Sequence, residues 1–368
     1  MKCLCIFVGM NIIRGYSRSQ TALHTIRMTN SFYLHVRQVP LALLYVCTFA
    51  VALLLGSCQS KNSKKVDDTG SIDPQDSVRS TILFDADSAY RYIAHQVSFG
   101  PRVPGTEAWQ KCSDWLQAQL EQSGAKVILQ KTQVKSFDGK MLPCHNIIGV
   151  YNEAATRRIL LAAHWDSRPF ADQDSNTANH NKPISGADDG ASGVGVLLEL
   201  ARQWGLVSPA IGIDIVLFDV EDYGSSNEEN SWCLGSDYWA KNPHTKDYKA
   251  EYGILLDMVG AKEAKFYWEG FSRDYAPMVV SKIWDKAASL GYGKYFVHAS
   301  GGYLTDDHVP VQRHRNIRIA NIVNYDPGRE KGFGHYWHTM NDNMDIIDRQ
   351  TLEAVGKTVK AIIDEEKQ

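Results

Sequence analysis

Cysteine is scarce in this 368-residue chain, and acidic residues are missing altogether from its first 66 positions. Of the seven cysteines, Cys3, Cys5, Cys47 and Cys58 precede residue 59, leaving Cys112, Cys144 and Cys233 for the rest. Their spacings match no thiolate zinc pattern, and three thiols cannot all pair. A disulfide-built scaffold is thereby excluded, and buried structural cysteines are expected, with one disulfide among the three left open. The acid-free segment hides a charge asymmetry. From Cys58 onward the chain holds 34 of its 39 basic residues against all 42 acidic ones, a formal charge of −8. No basic face of the kind that grips phosphates is available, which argues against nucleic-acid binding. No internal repeat or heptad pattern is visible, and a 44% hydrophobic composition excludes disorder.

Long apolar runs are also few. The main one, residues 39–55 (VPLALLYVCTFAVALLL), is short for a membrane span. Arg37 precedes it and Gly56, Ser57 and Cys58 follow, which is the layout of a cleaved export signal. Leu55-Gly56-Ser57-Cys58 resembles a bacterial lipobox, whose cysteine is acylated and becomes the mature N-terminus. Residues 1–57 are thus expected to be an N-terminal extension and lipoprotein signal, with Met28 an alternative start. Residues 58–80, polar and charged, read as a flexible tether. The folded domain is expected over 81–368, exported and facing the periplasm on a membrane anchor at Cys58. An uncleaved anchor is the alternative, and it exports the domain equally.

Within the domain, apolar strands alternate with amphipathic helices, which favours an α/β fold. Residues 85–99 and 107–123 read as helices, the second with Trp109, Cys112, Leu116 and Leu120 on one face. Short apolar runs at 159–163, 213–218, 252–256 and 317–323 suit buried parallel strands. Val194, Leu197, Leu198, Ala201 and Trp204 mark a helix between the first two. The first three runs end in polar side chains, His164-Trp165-Asp166, Asp219-Val220-Glu221-Asp222 and Asp257, and the fourth precedes the loop carrying His338. Open parallel sheets place ligands beyond the carboxyl ends of their strands. One such residue is explained by helix capping; a recurrence at four strand ends is not. Zinc takes N and O ligands from separate elements when no cysteine serves, so His164, Asp189, Asp222, Asp257 and His338 are the candidate ligands.

Three stretches are recognisable as a set: His164-Trp165-Asp166-Ser167, the run GADDGASG at 186–193, and Asp219-Val220-Glu221-Asp222. In that order they resemble the motifs of the M28 zinc aminopeptidase family, and FGPRVPGT at 99–106 resembles its entry segment. The resemblance covers residues 84–366 and implies a single domain with a mostly parallel, mixed central sheet flanked by helices. Aminopeptidases of this superfamily usually have Ser-Asp-His where this chain has Asp306-Asp307-His308, and His-Thr-Pro where it has His338-Thr339-Met340. Asp-Asp-His with Trp-His-Thr-Met is similar to the glutaminyl cyclases. That likeness implies one zinc per chain on Asp189, Asp222 and His338, with Glu221 as proton carrier. It also implies a carboxylate network through Asp257 and Asp306 and an aromatic pocket at Phe333 and Trp337. His164 is expected near the site without being a ligand, and Trp232 is the candidate for a further aromatic wall.

This chain departs from the animal cyclases at three places. Asp222 stands where they have Glu, and Ala163 and Val194 occupy the positions of their disulfide. The loop 223–231 differs as well. The expected reaction is attack of an N-terminal glutamine's α-amine on its own side-chain amide, giving pyroglutamate and ammonia, so the expected partners are peptides and proteins with N-terminal Gln. Two other functions compete: a two-zinc aminopeptidase in which Glu221 activates water, and a catalytically dead surface lipoprotein, which predicts a damaged ligand set. Oligomeric state is not encoded in these features.

Overall fold

Residues 82–367 are described in a computed structural model. The apolar run at 39–55, Cys58 and the whole of the tether at 58–80 lie outside them. Strands β3 (Arg158–His164), β4 (Gly212–Phe218), β5 (Tyr252–Asp257) and β8 (Ile319–Val323) form the parallel heart of one six-stranded sheet. Their order across the sheet is β4-β3-β5-β8, and β4 and β5 are buried at every position. A strand buried on both faces must be largely apolar, which is why these four are legible as Ile/Leu/Val/Ala-rich runs; the buried mid-strand exceptions are partnered, Asp214 by Arg158 and Asn321 by Asp306.

Two further strands, β1 (Lys126–Lys135) and β2 (Met141–Tyr151), extend the sheet antiparallel beside β4, with Ile147 opposite Leu217. This hairpin carries no apolar run ending in polar site residues, for a physical reason. β1 is a partly exposed edge strand rich in Lys and Gln, and edge strands are kept polar against aggregation. The first half of β2 buries polar groups by pairing them: Asn146 donates to Gln130 and to the Gly235 carbonyl, at 3.0 and 2.9 Å. A small parallel pair, β6 (Phe266–Trp268) and β7 (Phe296–Ser300), lies outside the main sheet.

Helices pack on the sheet, and their starts follow capping rules. Asp85 accepts from Asp87 N at 2.9 Å to open α1 (Ala86–Ser98), and Thr106 caps α2 (Glu107–Gln122) through Trp109 N at 3.2 Å. The central helix α3 (Ala191–Leu206) is buried on almost every side, packing on α1 and on β3 and β5. Its start is uncapped by any side chain and follows Gly190 at φ +98°, where a Cβ would lie 2.5 Å from the Asp166 carbonyl. The remaining helices are α4 (Leu234–Lys241), α5 (Gly270–Tyr275), α6 (Pro277–Ser289), α7 (His308–Arg315) and α8 (Arg349–Asp364). Ala163 and Val194, at the positions of the animal disulfide, are fully buried among apolar neighbours, so packing takes the place of the covalent link.

Cys112, Cys144 and Cys233 are all free and buried. This settles the disulfide question for the described residues. A Cβ on Gly193, in the first turn of α3, would come within 2.2 Å of the Leu256 carbonyl and 2.9 Å of Ala163. Overpacking of this kind costs about 1–3 kcal/mol. Gly193→Ala is expected to lower the urea midpoint of the folded domain accordingly, and to reduce activity, because Leu256 adjoins Asp257. An unchanged midpoint would contradict the close helix-on-strand contact.

Candidate metal and catalytic centre

The polar residues singled out at the strand ends meet in one place, except Asp219, whose carboxylate accepts from Trp109 Nε1 and the His145 amide instead. Asp189 sits just before α3, Glu221 and Asp222 follow β4, Asp257 ends β5, Asp306 precedes α7, and His338 lies in the loop after β8. The backbone bends sharply to present them: Val220, Met258 and His338 itself adopt left-handed φ of 54°, 48° and 54°. Such conformations cost bulky residues energy and persist where the surrounding fold imposes them, often at active sites. The result is a cleft of ≈ 440 Å³ lined by Asp189, Glu221, Asp222, Asp257, Asp306 and His338, with Phe333, Trp337 and Trp232 among its aromatic walls.

The predicted metal ligands converge. Donor atoms of Asp189, Asp222 and His338, all buried, lie within 4.8 Å of one another. His338 Nε2 is 3.3 Å from Asp222 Oδ1 and 3.5 Å from Asp189 Oδ2, while its Nδ1 faces Asp172 Oδ1 at 3.6 Å. A carboxylate behind the non-ligating nitrogen is the usual way a metal-binding imidazole is oriented. Asp222 Oδ2 is buried and has no hydrogen-bond partner. An orphaned carboxylate oxygen inside a ring of N and O donors fits a zinc ion.

Several supporting residues were given no role from sequence. Asp166 accepts from the backbone amides of Glu221 and Asp222, each at 3.2 Å, and its Oδ1 lies 3.4 Å from His164 Nδ1. Asp342 accepts from the amides of Asp188 and Asp189 at 2.8 and 3.1 Å, fixing the loop before α3. Arg168 grips Asp172 through two bonds of 2.8 Å, donates to the Asp222 carbonyl at 3.0 Å, and lies 4.8 Å from the Trp232 ring centroid. Asp166 and Asp342 stand inside or beside recognisable motifs, which was the available signal. Asp172 and Arg168 lie in an irregular loop with none.

His164 is buried beneath the cleft, its Nε2 3.1 Å from Asp189 and 3.2 Å from Asp257. Burial alone would lower its pKa, but hydrogen bonds to Asp166, Asp189 and Asp257 outweigh it and raise the imidazole well above its ordinary value. His164, Asp189 and Asp257 also form a donor cluster of metal-binding dimensions. Burial likewise raises Glu221 well above the usual carboxylate range, with Asp222, Asp306 and Asp307 adding to it and His164 opposing. Asp257 and Asp306 are raised chiefly by burial too. For Glu221, burial is a larger upward influence than the neighbouring carboxylates.

Asp306 accepts from Asn321 Nδ2 and Asp307 N, both at 2.5 Å. One acceptor atom of Asp306, one of Glu221 and the Cys233 sulfur lie within 4.8 Å of one another, with Cys233 Sγ 3.3 Å from Glu221 Oε1. Cys233, buried and free as expected, therefore also touches the candidate proton carrier. On the opposite wall three rings stack. Phe333 and Trp337 are 4.4 Å apart at 22°, and Trp337 and His338 3.7 Å apart at 23°. Trp232 lies 6.0 Å from His338 at 17°, within the cleft wall as expected.

The chain matches the model for peptidase family M28 over residues 146–363. The crystal structure of Porphyromonas gingivalis glutaminyl cyclase is similar at a TM-score of 0.76 and 57% identity, covering 77% of this chain and 99% of that one. A Zn-dependent exopeptidase from Parabacteroides distasonis is similar at the same TM-score, with 52% identity and 77% and 99% coverage. The glutaminyl-peptide cyclotransferase of Bos taurus is 25% identical over 249 residues, 59% of this chain; the chain thus spans 65% of that relative's length. With its motifs at the strand ends and these similarities, this chain belongs to the M28 peptidase family, in the branch that includes the bacterial glutaminyl cyclases.

Proposed function

We propose that this protein cyclises N-terminal glutamine to pyroglutamate on exported peptides and proteins, releasing ammonia, with one zinc ion per chain on Asp189, Asp222 and His338. The observation that carries the proposal is a second buried carboxylate beside Glu221. Asp306 belongs neither to the Asp189–Asp222–His338 set nor to the His164–Asp189–Asp257 cluster and lines the cleft with Glu221, whereas hydrolysis needs only one carboxylate to activate water. The bound metal supplies Lewis-acid polarisation of the substrate's side-chain carbonyl.

The chain's own residues do the rest. Asp306, held by Asn321 and the Asp307 amide, accepts from the substrate α-amine and keeps its nitrogen beside Glu221. Glu221 takes a proton from that amine as the nitrogen bonds to the side-chain amide carbon. The carbon–nitrogen bond of the amide then breaks, and Glu221 returns the proton so that the leaving group departs as ammonia. Phe333 and Trp337 wall the space in which the side chain must fold back, and they exclude water from the reacting carbon.

The His164–Asp189–Asp257 cluster favours a second reading, a two-zinc aminopeptidase. Metal count and product separate the two, since hydrolysis frees an amino acid and cyclisation frees only ammonia. The export signal supports action outside the cytoplasm, on a lipid tether at Cys58. Cys58→Ala is expected to move the protein from the membrane to the soluble fraction on cell fractionation; retention in the membrane would argue for an uncleaved anchor.

Elemental analysis of the purified protein should find one zinc per chain. His338→Ala should abolish tight zinc binding, and Asp172→Asn should weaken zinc affinity about 10- to 100-fold by freeing the imidazole. Two tightly held zincs in active protein would favour the peptidase. Glu221→Gln should keep the zinc and lower kcat on a Gln-Ala peptide about 10²- to 10⁴-fold, because an amide cannot carry the proton. Asp306→Ser should depress cyclisation about 10- to 100-fold, the loss of a charged hydrogen bond, at unchanged zinc content. Cyclisation by D306S at the parental rate would remove the distinction from the peptidases.

A further inference from the structure

The catalytic cleft does not end at its own rim. A second groove of ≈ 340 Å³ continues from it, with Trp232 and Thr305 forming part of both walls. α4 and α7 flank this groove, and Phe271, Val309 and Pro310 give it an apolar lining. The side chains at its outer part are charged: Asp237, Lys241, Arg313 and His314.

Two of the three basic groups are committed. Lys241 Nζ donates to Asp237 Oδ2 at 2.6 Å, and His314 Nε2 lies 3.0 Å from Asp237 Oδ1. The single acid is thereby balanced. Arg313 is exposed, and among the described residues no carboxylate, carbonyl or ring is its partner. Its place in the last turn of α7 offsets the helix dipole, yet its donors are left without an acceptor. The charge therefore reverses along the path, from the carboxylates of the cleft to an open guanidinium in the groove.

A peptide whose first residue lies in the cleft must carry its remaining chain out across the rim. Thr305 adjoins Asp306, the candidate contact for the substrate amine. From His308 to Arg313, α7 rises roughly 8 Å, which is two to three residues of extended chain. We propose that this groove binds the substrate chain downstream of its N-terminal glutamine, and that Arg313 selects an acidic side chain at the third or fourth residue. The inference rests on the cyclase reading for the identity of the first residue, while the groove itself would serve any enzyme acting at a peptide N-terminus.

The test compares Gln-Ala-Ala-Glu-Ala-amide with Gln-Ala-Ala-Lys-Ala-amide, following ammonia release and product mass together. The parent should favour the Glu peptide in kcat/KM by about 3- to 10-fold, the range set by exchanging an exposed ion pair for a repulsion. The preference should act through KM and fade in about 0.5 M NaCl. Arg313→Glu should invert the ratio, and Arg313→Ala should bring it near one. Equal rates on the two peptides in the parent, or a ratio that R313E leaves unchanged, would overturn the groove assignment while leaving the cyclase reading intact. Release of free glutamine with the same charge preference would overturn the cyclase reading and support the groove.

Discussion

Buried negative charge is the constraint on which the rest of this structure depends. Asp166, Asp188, Asp189, Asp219, Glu221, Asp222, Asp257, Asp306, Asp307 and Asp342 are all buried around one end of the sheet. Carboxylates in a low-dielectric interior must be neutralised, paired or bound to a cation. Part of the compensation is built in. His164 contacts three of them, Arg168 and His338 reach Asp222, and backbone amides are aimed at Asp166 and Asp342. Asp222 Oδ2 is nevertheless left without a partner. A cation held among Asp189, Asp222 and His338 would offset part of the remaining charge, so the charge that makes the site costly to fold also suits it to metal.

Parallel strands explain how so many acids gather. β4, β3, β5 and β8 point the same way, so their C-terminal ends share an edge, and the residues just beyond them are brought together from far apart in the chain. Left-handed turns at Val220 and Met258 redirect the backbone where the apolar interior stops. The close seating of α3, which needs Gly193, brings Asp189 down onto the same edge. Rigid packing and catalytic placement are here one arrangement, and the positioning groups Asp166, Asp172 and Asp342 act on the ligands through that frame.

Much of the fold was legible because two-sided burial forces a simple code. Apolar runs that stop at His164, Asp219 and Asp257 announce both the strands and the site, and the motif at 186–193 announces the tight turn into α3. The β1–β2 hairpin was not legible, since an exposed edge strand and a strand with paired buried polar groups both lack that code. Asp172, Arg168 and Cys233 were missed for a related reason: their roles come from contacts across loops, which leave no periodicity.

Residue type and order set the chemical inventory: the donors for a metal, the surplus carboxylates beyond them, and the aromatic pair at Phe333 and Trp337. These are properties of residue type and order, and of strand-end position. Which groups face one another is a matter of packing. It set Cys233 against Glu221, placed Asp172 behind His338, sank His164 beneath the cleft between Asp189 and Asp257, and left Arg313 open in a groove beyond Thr305. Those relations depend on distances between segments separated by tens to hundreds of residues, and such distances exist only once helices and strands have packed.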